Sequence, residues 1–315
     1  MNNDLVSAWH VGELSIQKMA GTHERMAEIG PKFIREFMPL QHRDFFSSLT
    51  MVYIGYTDHD SHTRASMLFG APNFIQSPTE TELVINTQYS LGDFITDDIK
   101  IGDRVGLLGI EFDTKRRNRV NAIITDINQK NIKLKILQSF GNCPKYIQPK
   151  IFRQNPHYGE FSTTTSHQLN QADKDIISSA DAFFIASHFD DGQQLNNRGA
   201  DISHRGGSAG FVSINPKGQL LADDYLGNGF FNTLGNLLEN PIASLLICDW
   251  HSGHALQLTV SSQIIWHDDS KQTSCFLTTQ KDTGSDQVKR TLCFTVMKIE
   301  RFMNALAYRT CKLNI

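Results

Sequence analysis

The chain has 315 residues, 40% of them hydrophobic and 20% charged, with a net charge of −3. That is enough for two globular domains of ordinary size; it leaves no global basic field for nucleic acid, and no apolar run reaches the ~20 residues of a spanning helix. The five cysteines are scattered without a Cys-x-x-Cys, which suits reduced thiols better than a disulfide framework or a zinc site.

The first residues carry neither the basic nor the apolar part of a signal peptide, so the expected location is the cytoplasm. Residues 13–38 show helical spacing through Ile16, Met19, Met26, Ile29, Phe33 and Phe37, with a break predicted at Gly30-Pro31. From residue 45 short runs of Val, Ile, Phe and Tyr alternate with turn residues, as in a β barrel or sandwich. Strands are predicted at 51–56, 64–69, 82–86, 104–112, 119–127 and 132–138, with a turn at 58–61 and a short helix within 91–100. Residues 149–173 are polar and read as a linker whose ends pack on the flanking domains. Further strands follow at 182–188, 200–205, 210–214, 220–223, 243–249 and 255–266, with a helix at 233–239.

These two sets of elements are copies. Shifting 63–94 by 137 residues onto 200–231 aligns six identities in 32 positions: Ser66/Ser203, Gly70/Gly207, Phe74/Phe211, Leu83/Leu220, Gly92/Gly229 and Phe94/Phe231. Ordinary composition gives roughly two. After one residue of slippage, 106–112 falls on 244–250. A period this long marks a duplicated domain. The predicted architecture is therefore mainly β with peripheral helices: a helical segment (1–41), a first barrel (42–148), the linker (149–173) and a second barrel (174–315), the two barrels forming an intrachain pseudo-dimer.

Four stretches have the chemistry of a site. Ser203-His204-Arg205-Gly206-Gly207 ends a strand with a basic pair and two glycines, where backbone N–H groups and a guanidinium can face an anion; alone it reads equally as a solvated hairpin end. Phe230-Phe231-Asn232-Thr233, with Asn236, combines flat apolar surface with short donors at a helix start; helix capping by Asn232 or Thr233 over two core phenylalanines is the plainer reading. Arg116, Arg117 and Arg119 in the first copy are either a solvated loop or cations that reach a ligand held by the second copy. Cys143, in a Gly-Asn-Cys-Pro turn, has no histidine nearby in sequence and reads as a structural thiol. His251 and His254 form a turn rather than a metal site, because no ligand set is completed.

Together these motifs resemble the pyridoxamine 5′-phosphate oxidase-like, FMN-binding split-barrel family, and within it the tandem-barrel members. The resemblance runs along nearly the whole chain, through His10–Glu13, Gln41–Phe46, Leu107–Phe112, Arg116–Arg119, Gly141–Ile147, His204–Gly207, Phe231–Asn236 and Leu256–Thr259. It implies an FMN cofactor and a flavin-dependent oxidoreductase working between a donor such as NAD(P)H and an acceptor. The alternative is a non-catalytic flavin- or haem-binding or sensing module. Implied partners are a small redox substrate and either an electron-transfer protein or a second copy, with no nucleic acid and no membrane. Carried over residue by residue, Ser203–Gly207 and Phe230–Asn236 hold the cofactor, while Arg116, Arg117 and Arg119 serve the substrate or support the site. The equivalent loop of the first copy contains Asp93, Asp97 and Asp98, where a phosphate dianion would be repelled. One flavin per chain is therefore expected. The Arg/His pattern by which oxidases of this family hold the vitamin phosphate is not recognisable in 301–315, so that activity is not assigned.

Overall fold

The computed structural model describes residues 7–92, 94–129, 131–159, 161–267 and 288–310. Three helices lead: α1 (Val11–Met19), α2 (His23–Phe33) and α3 (Leu40–Ser48). The break in the helical segment lies at Ala20-Gly21-Thr22, not at Gly30-Pro31. Gly21 takes φ +67°, the left-handed conformation that ends a helix. Pro31 rides inside the last turn of α2.

The first copy contains β1 (Met51–Thr57), β2 (Thr63–Phe69), β3 (Ile75–Gln76), β4 (Glu82–Asn86), β5 (Tyr89–Ser90), the single-turn α4 (Phe94–Asp97), β6 (Arg104–Glu111), β7 (Arg116–Asn128) and β8 (Asn131–Gly141). Next come β9 (Phe152–Gln154), β10 (Ser162–Ser166) and α5 (Gln171–Ser179). The second copy contains β11 (Ala182–Phe189), β12 (Gly199–Gly206), β13 (Val212–Ile214), β14 (Leu220–Asp224), α6 (Asn232–Glu239), β15 (Ile242–Asp249), β16 (His254–Trp266) and β17 (Arg290–Met303), followed by β18 (Tyr308–Thr310). The helix expected within 91–100 shrinks to α4, and β17 has no counterpart among the predicted strands. The polar stretch between the copies is not bare chain: β9 pairs with β18 and β10 with β17. Cys275 and the last five residues lie outside the described residues.

The duplication is visible strand by strand. One sheet runs β3-β4-β8-β7-β6-β1-β2-β5 and the other β13-β14-β17-β16-β15-β11-β12, so seven strands follow the same antiparallel order in both. Register agrees as well: Tyr53 faces Leu108 and Phe184 faces Leu246. Gly92 and Gly229, identical in sequence, take φ +80° and +81°. The Phe74 N–H donates to Ala71 O and the Phe211 N–H to Ser208 O. A Cβ added at Gly70 would strike Phe74, and one at Gly207 would strike Phe211. Phe74 and Phe211 therefore occupy equivalent positions, and the chain is two tandem split barrels.

Each barrel has its own core, around Val52, Leu107 and Leu134 in the first and Ile185, Leu245 and Phe294 in the second. A third cluster joins them: Tyr53, Met67, Leu108 and Ile110 pack with Phe184, Ile202, Leu246 and Cys248. The period-2 alternation of β1, β2, β11 and β15 supplies both faces at once, one side chain inward and the next across the joint. Among the described residues no helix is long and apolar enough to cross a membrane.

Candidate functional site

At one edge of the joint lies a cleft of about 300 Å³. Its floor is the end of β12, with Ser203, His204 and Arg205, and its far wall is β7 of the first copy, with Arg117 and Arg119. The loop 225–231 and the start of α6 (Phe231, Asn232, Thr233) close one side, and Thr22, Arg25 and Met26 of the N-terminal helices close another. The helical segment is held there by close packing. Gly12 of α1 and Gly235 of α6 approach so closely that a Cβ on either would enter the other helix. Trp9 packs on Phe230 with ring centroids 5.0 Å apart and donates its indole N–H to Met26 O.

Helix α6 begins without a side-chain cap. Its N-cap is Phe231 in the left-handed region, φ 61°, costly for a residue with a bulky side chain. Asn232 and Thr233 do not bond back to the helix. Asn232 Nδ2 donates to the Glu13 carboxylate, and Thr233 Oγ1 donates to Ser203 Oγ at 2.9 Å. The start of α6 thus lines the cleft with its first N–H groups uncapped by any side chain, an arrangement that favours an anion.

The charged groups are buried and unevenly matched. Asp224 faces Arg290 across the β14–β17 pairing and bonds both Arg290, at 2.8 Å, and Arg205, at 2.5 Å. Two guanidiniums on one carboxylate leave one net positive charge. Arg119 forms a close ion pair with Asp201 through Nη2 and Oδ1, while Arg119 Nε and Asp201 Oδ2 have no hydrogen-bond partner among the described residues. Burial lowers the Arg119 guanidinium to about 9 and, with Arg205 beside it, Arg117 to about 10; both stay charged at neutral pH. Arg117 Nη1 lies 3.1 Å from His204 Nδ1. A guanidinium has only donors, so Nδ1 accepts and the proton of the neutral ring sits on Nε2. Burial, with Arg117, Arg205 and Lys150 nearby, holds His204 well below its usual range and neutral. Five groups of the cleft thus keep a buried N–H donor without a partner among the described residues: Arg117 Nε, Arg119 Nε, Asn142 Nδ2, His204 Nε2 and Arg205 Nε. Leaving such groups unsatisfied is costly, and an acceptor-rich anion would satisfy them.

Cys143, read from the sequence as a structural thiol, lines the cleft beside Asn142 and Arg117; several other residues singled out in sequence lie elsewhere. Asn236 is buried and donates to Ser187 Oγ. Gly207 packs on Phe211, Gly206 lines a smaller adjoining cavity, and Phe230 is core between Trp9 and Phe140. Arg116 sits over the Phe45 ring, away from the cleft. Asp224 and Arg290, which dominate the charge balance, were not anticipated. They meet only through a pairing 66 residues apart, on a strand without a clear alternating signal.

The equivalent place in the other half has no such cleft chemistry. Register puts Ala255 and Gln257 where Arg117 and Arg119 stand, and Met67 and Leu68 where His204 and Arg205 stand. Gln257 donates to Ala65 O, and Arg64 is taken up by Glu300. Phe302 packs against Gly92. Of the acids in the loop expected there, Asp97 and Asp98 are described, and Asp93 lies outside the described residues.

No family model and no curated protein matches the chain. Solved structures do. A pyridoxamine 5′-phosphate oxidase candidate from Lactobacillus delbrueckii is 10% identical with TM-score 0.31, over 42% of this chain and 94% of that one. A protein related to general stress protein 26, of the pyridoxinephosphate oxidase family, from Clostridium acetobutylicum is 15% identical with TM-score 0.29, over 45% and 93%. MrkH of K. pneumonia, solved with c-di-GMP, is 9% identical with TM-score 0.23, over 84% and 87%. The topology above stands on the chain itself: a tandem split-barrel protein with a donor-lined cleft at the joint of its two halves.

Proposed function

We propose that this protein binds one FMN in the cleft and is an oxidoreductase that moves electrons between a reduced donor, such as NAD(P)H, and an acceptor. The observation that carries the reading is the concentration, among the described residues, of unpartnered buried donors beside the uncapped start of α6. The phosphate and the carbonyl edge of FMN present acceptors to such donors. The residues suited to the phosphate are Ser203, Arg205 and the uncapped N–H groups of Asn232 and Thr233; Phe231 offers a flat apolar flank. Arg117, Arg119 and His204 are suited to the acceptor edge of the ring. Bound flavin supplies reversible two-electron chemistry, and the protein supplies position and charge. Arg117 and Arg119 favour any state of the ligand that carries more negative charge, because the cleft is poorly solvated. His204 offers a neutral N–H donor.

Two alternatives fit less well. Haem is disfavoured at His204, whose lone pair is already turned to Arg117, which leaves Cys143 and Met26 as the cleft's candidate ligands. A dinucleotide such as FAD is less well matched, because the cleft presents one uncapped helix start beside Arg205, which suits a single terminal phosphate. The test is chromatography of heat-released cofactor, or of FMN, FAD and haem offered to the purified chain. FMN is expected, at one per chain; haem or FAD as the main species overturns the cofactor. Repeated NAD(P)H oxidation by the loaded protein is expected, and its absence returns the chain to a non-catalytic flavin module.

A further inference from the structure

Next to the cleft lies a second cavity, of about 350 Å³, on the first copy's side. It is lined by Lys115, Arg116 and Arg117 together with Gln41, His42 and Asn142, and among the described residues no carboxylate lines it. Arg117 and Asn142 line both cavities. In each of them a buried nitrogen, Arg117 Nε and Asn142 Nδ2, has no hydrogen-bond partner. The partition between the cavities is therefore made of unsatisfied donors. Glu111, 3.8 Å from Arg116, offsets part of one charge and leaves the trio strongly positive. Lys115 is held at φ 59°, a left-handed position usually given to Gly or Asn. That conformation is the one a short β6–β7 hairpin turn calls for, and it presents Lys115 beside Arg116 at the cavity.

We propose that this cavity binds the pyrophosphate of a nucleotide cosubstrate. The identity of the cosubstrate as an electron donor rests on the flavoprotein reading above; the anion site itself does not. Three cations and several neutral donors with no lining acid suit a multiply charged oxyanion better than a single carboxylate. The volume exceeds what a bare phosphate fills and falls in the range of small-ligand pockets. The shared wall puts the two ligands one guanidinium apart, so the rest of the nucleotide can extend over the first cleft.

The test is calorimetric titration of the full chain with inorganic pyrophosphate and with ADP-ribose, with and without saturating FMN. Lys115→Ala/Arg116→Ala is compared with wild type; both residues are exposed or at a strand end, so folding is preserved, and circular dichroism checks this. Both probes are expected to bind, ADP-ribose more tightly, and the double variant to lose at least tenfold for each, whether or not FMN is present. Unchanged affinity in the variant overturns the site. Loss of pyrophosphate binding only on adding FMN or in Arg205→Ala also overturns it, because the probe would then occupy the first cleft. Binding of pyrophosphate without ADP-ribose overturns the nucleotide assignment. Failure of FMN to bind, with the tenfold loss intact, removes the flavin reading and leaves this site standing.

Discussion

Tyr53 and Phe184 are the same residue of the duplicated fold, and they stack on each other with ring centroids 3.5 Å apart and planes 18° from parallel. Each faces a leucine of the next strand in the same register, Leu108 and Leu246. A residue that meets its own counterpart lies on the twofold relation between the copies, so this pair marks the pseudo-axis. The pair differs by one atom. The Tyr53 hydroxyl is buried and has no hydrogen-bond partner, and burial raises its pKa well above the usual range.

Tyr53→Phe is therefore expected to be neutral or stabilising by about 1 kcal/mol, since it removes an unsatisfied buried group without changing shape. Phe184→Ala opens a cavity at the axis and should cost about 3–5 kcal/mol. Urea unfolding measures both. A loss above about 1 kcal/mol in Tyr53→Phe would show that the hydroxyl has a partner and that the joint is built differently.

The asymmetry of the two halves predicts unequal arginines. Arg205→Ala removes one charge-assisted contact, worth about 1.5–3 kcal/mol, and should weaken FMN roughly ten- to a hundredfold. Arg64 stands in the other half and is occupied by Glu300. Arg64→Ala should lower stability, because Glu300 is left with Lys298 at 3.3 Å, and leave FMN affinity unchanged. Flavin fluorescence titration separates the two. Equal losses, or two flavins per chain, would contradict a single site.

Glu13 gives a pH signature. Burial raises its pKa from 4.5 to about 8, because ionising it in the α1–α6 contact is unfavourable. A raised folded pKa contributes stability that is fully present below pH 4.5 and lost as pH rises through 8. His10 does the opposite: burial lowers it from 6.5 to about 4, so its contribution is present above 6.5 and lost as pH falls towards 4. The two slopes oppose each other between 4.5 and 6.5. Between pH 6.5 and 8 Glu13 acts without that opposition, and stability should fall by about 1 kcal/mol per pH unit on average, the slope easing as pH nears 8. Glu13→Gln should flatten this limb. Chemical denaturation at pH 6.5, 7.25 and 8 tests it, and an equal slope in the variant assigns the effect to other groups.

Much of this was legible in the chain. Identities at Gly70/Gly207, Phe74/Phe211 and Gly92/Gly229 survive because a turn, a close approach and a left-handed φ each admit few residues. They exposed the duplication that hydrophobic patterning alone would not. The residues carrying the cleft's charge balance were harder to read. Asp224 looks like an ordinary turn acid until β17 places Arg290 opposite it. Glu13 looks like a helix-surface carboxylate until Gly12 and Gly235 let α1 sink onto α6. Arg116, Arg117 and Arg119 read as one cationic loop because the strand was expected to begin at 119. It begins at Arg116, and alternation then sends neighbouring side chains to opposite faces.

That alternation makes the last prediction. Arg117 and Arg119 lie two apart on β7 and line the cleft, whereas Arg116 lies over Phe45. If the trio acted as one loop, the three alanine variants would behave alike. The geometry divides them. Arg117→Ala removes a cleft cation and also frees His204 Nδ1, so FMN should weaken at least tenfold. Arg119→Ala should do likewise and cost stability, since Asp201 loses its ion-pair partner in a buried place; Arg119→Lys, which keeps the charge, should recover stability more than affinity because it lacks the planar fork. Arg116→Ala should leave FMN affinity within about twofold while slowing reduction of the bound flavin by an anionic donor. Fluorescence titration gives the affinities and stopped-flow absorbance gives the reduction rate. Wild-type behaviour of all three in both assays would return them to a solvated strand end.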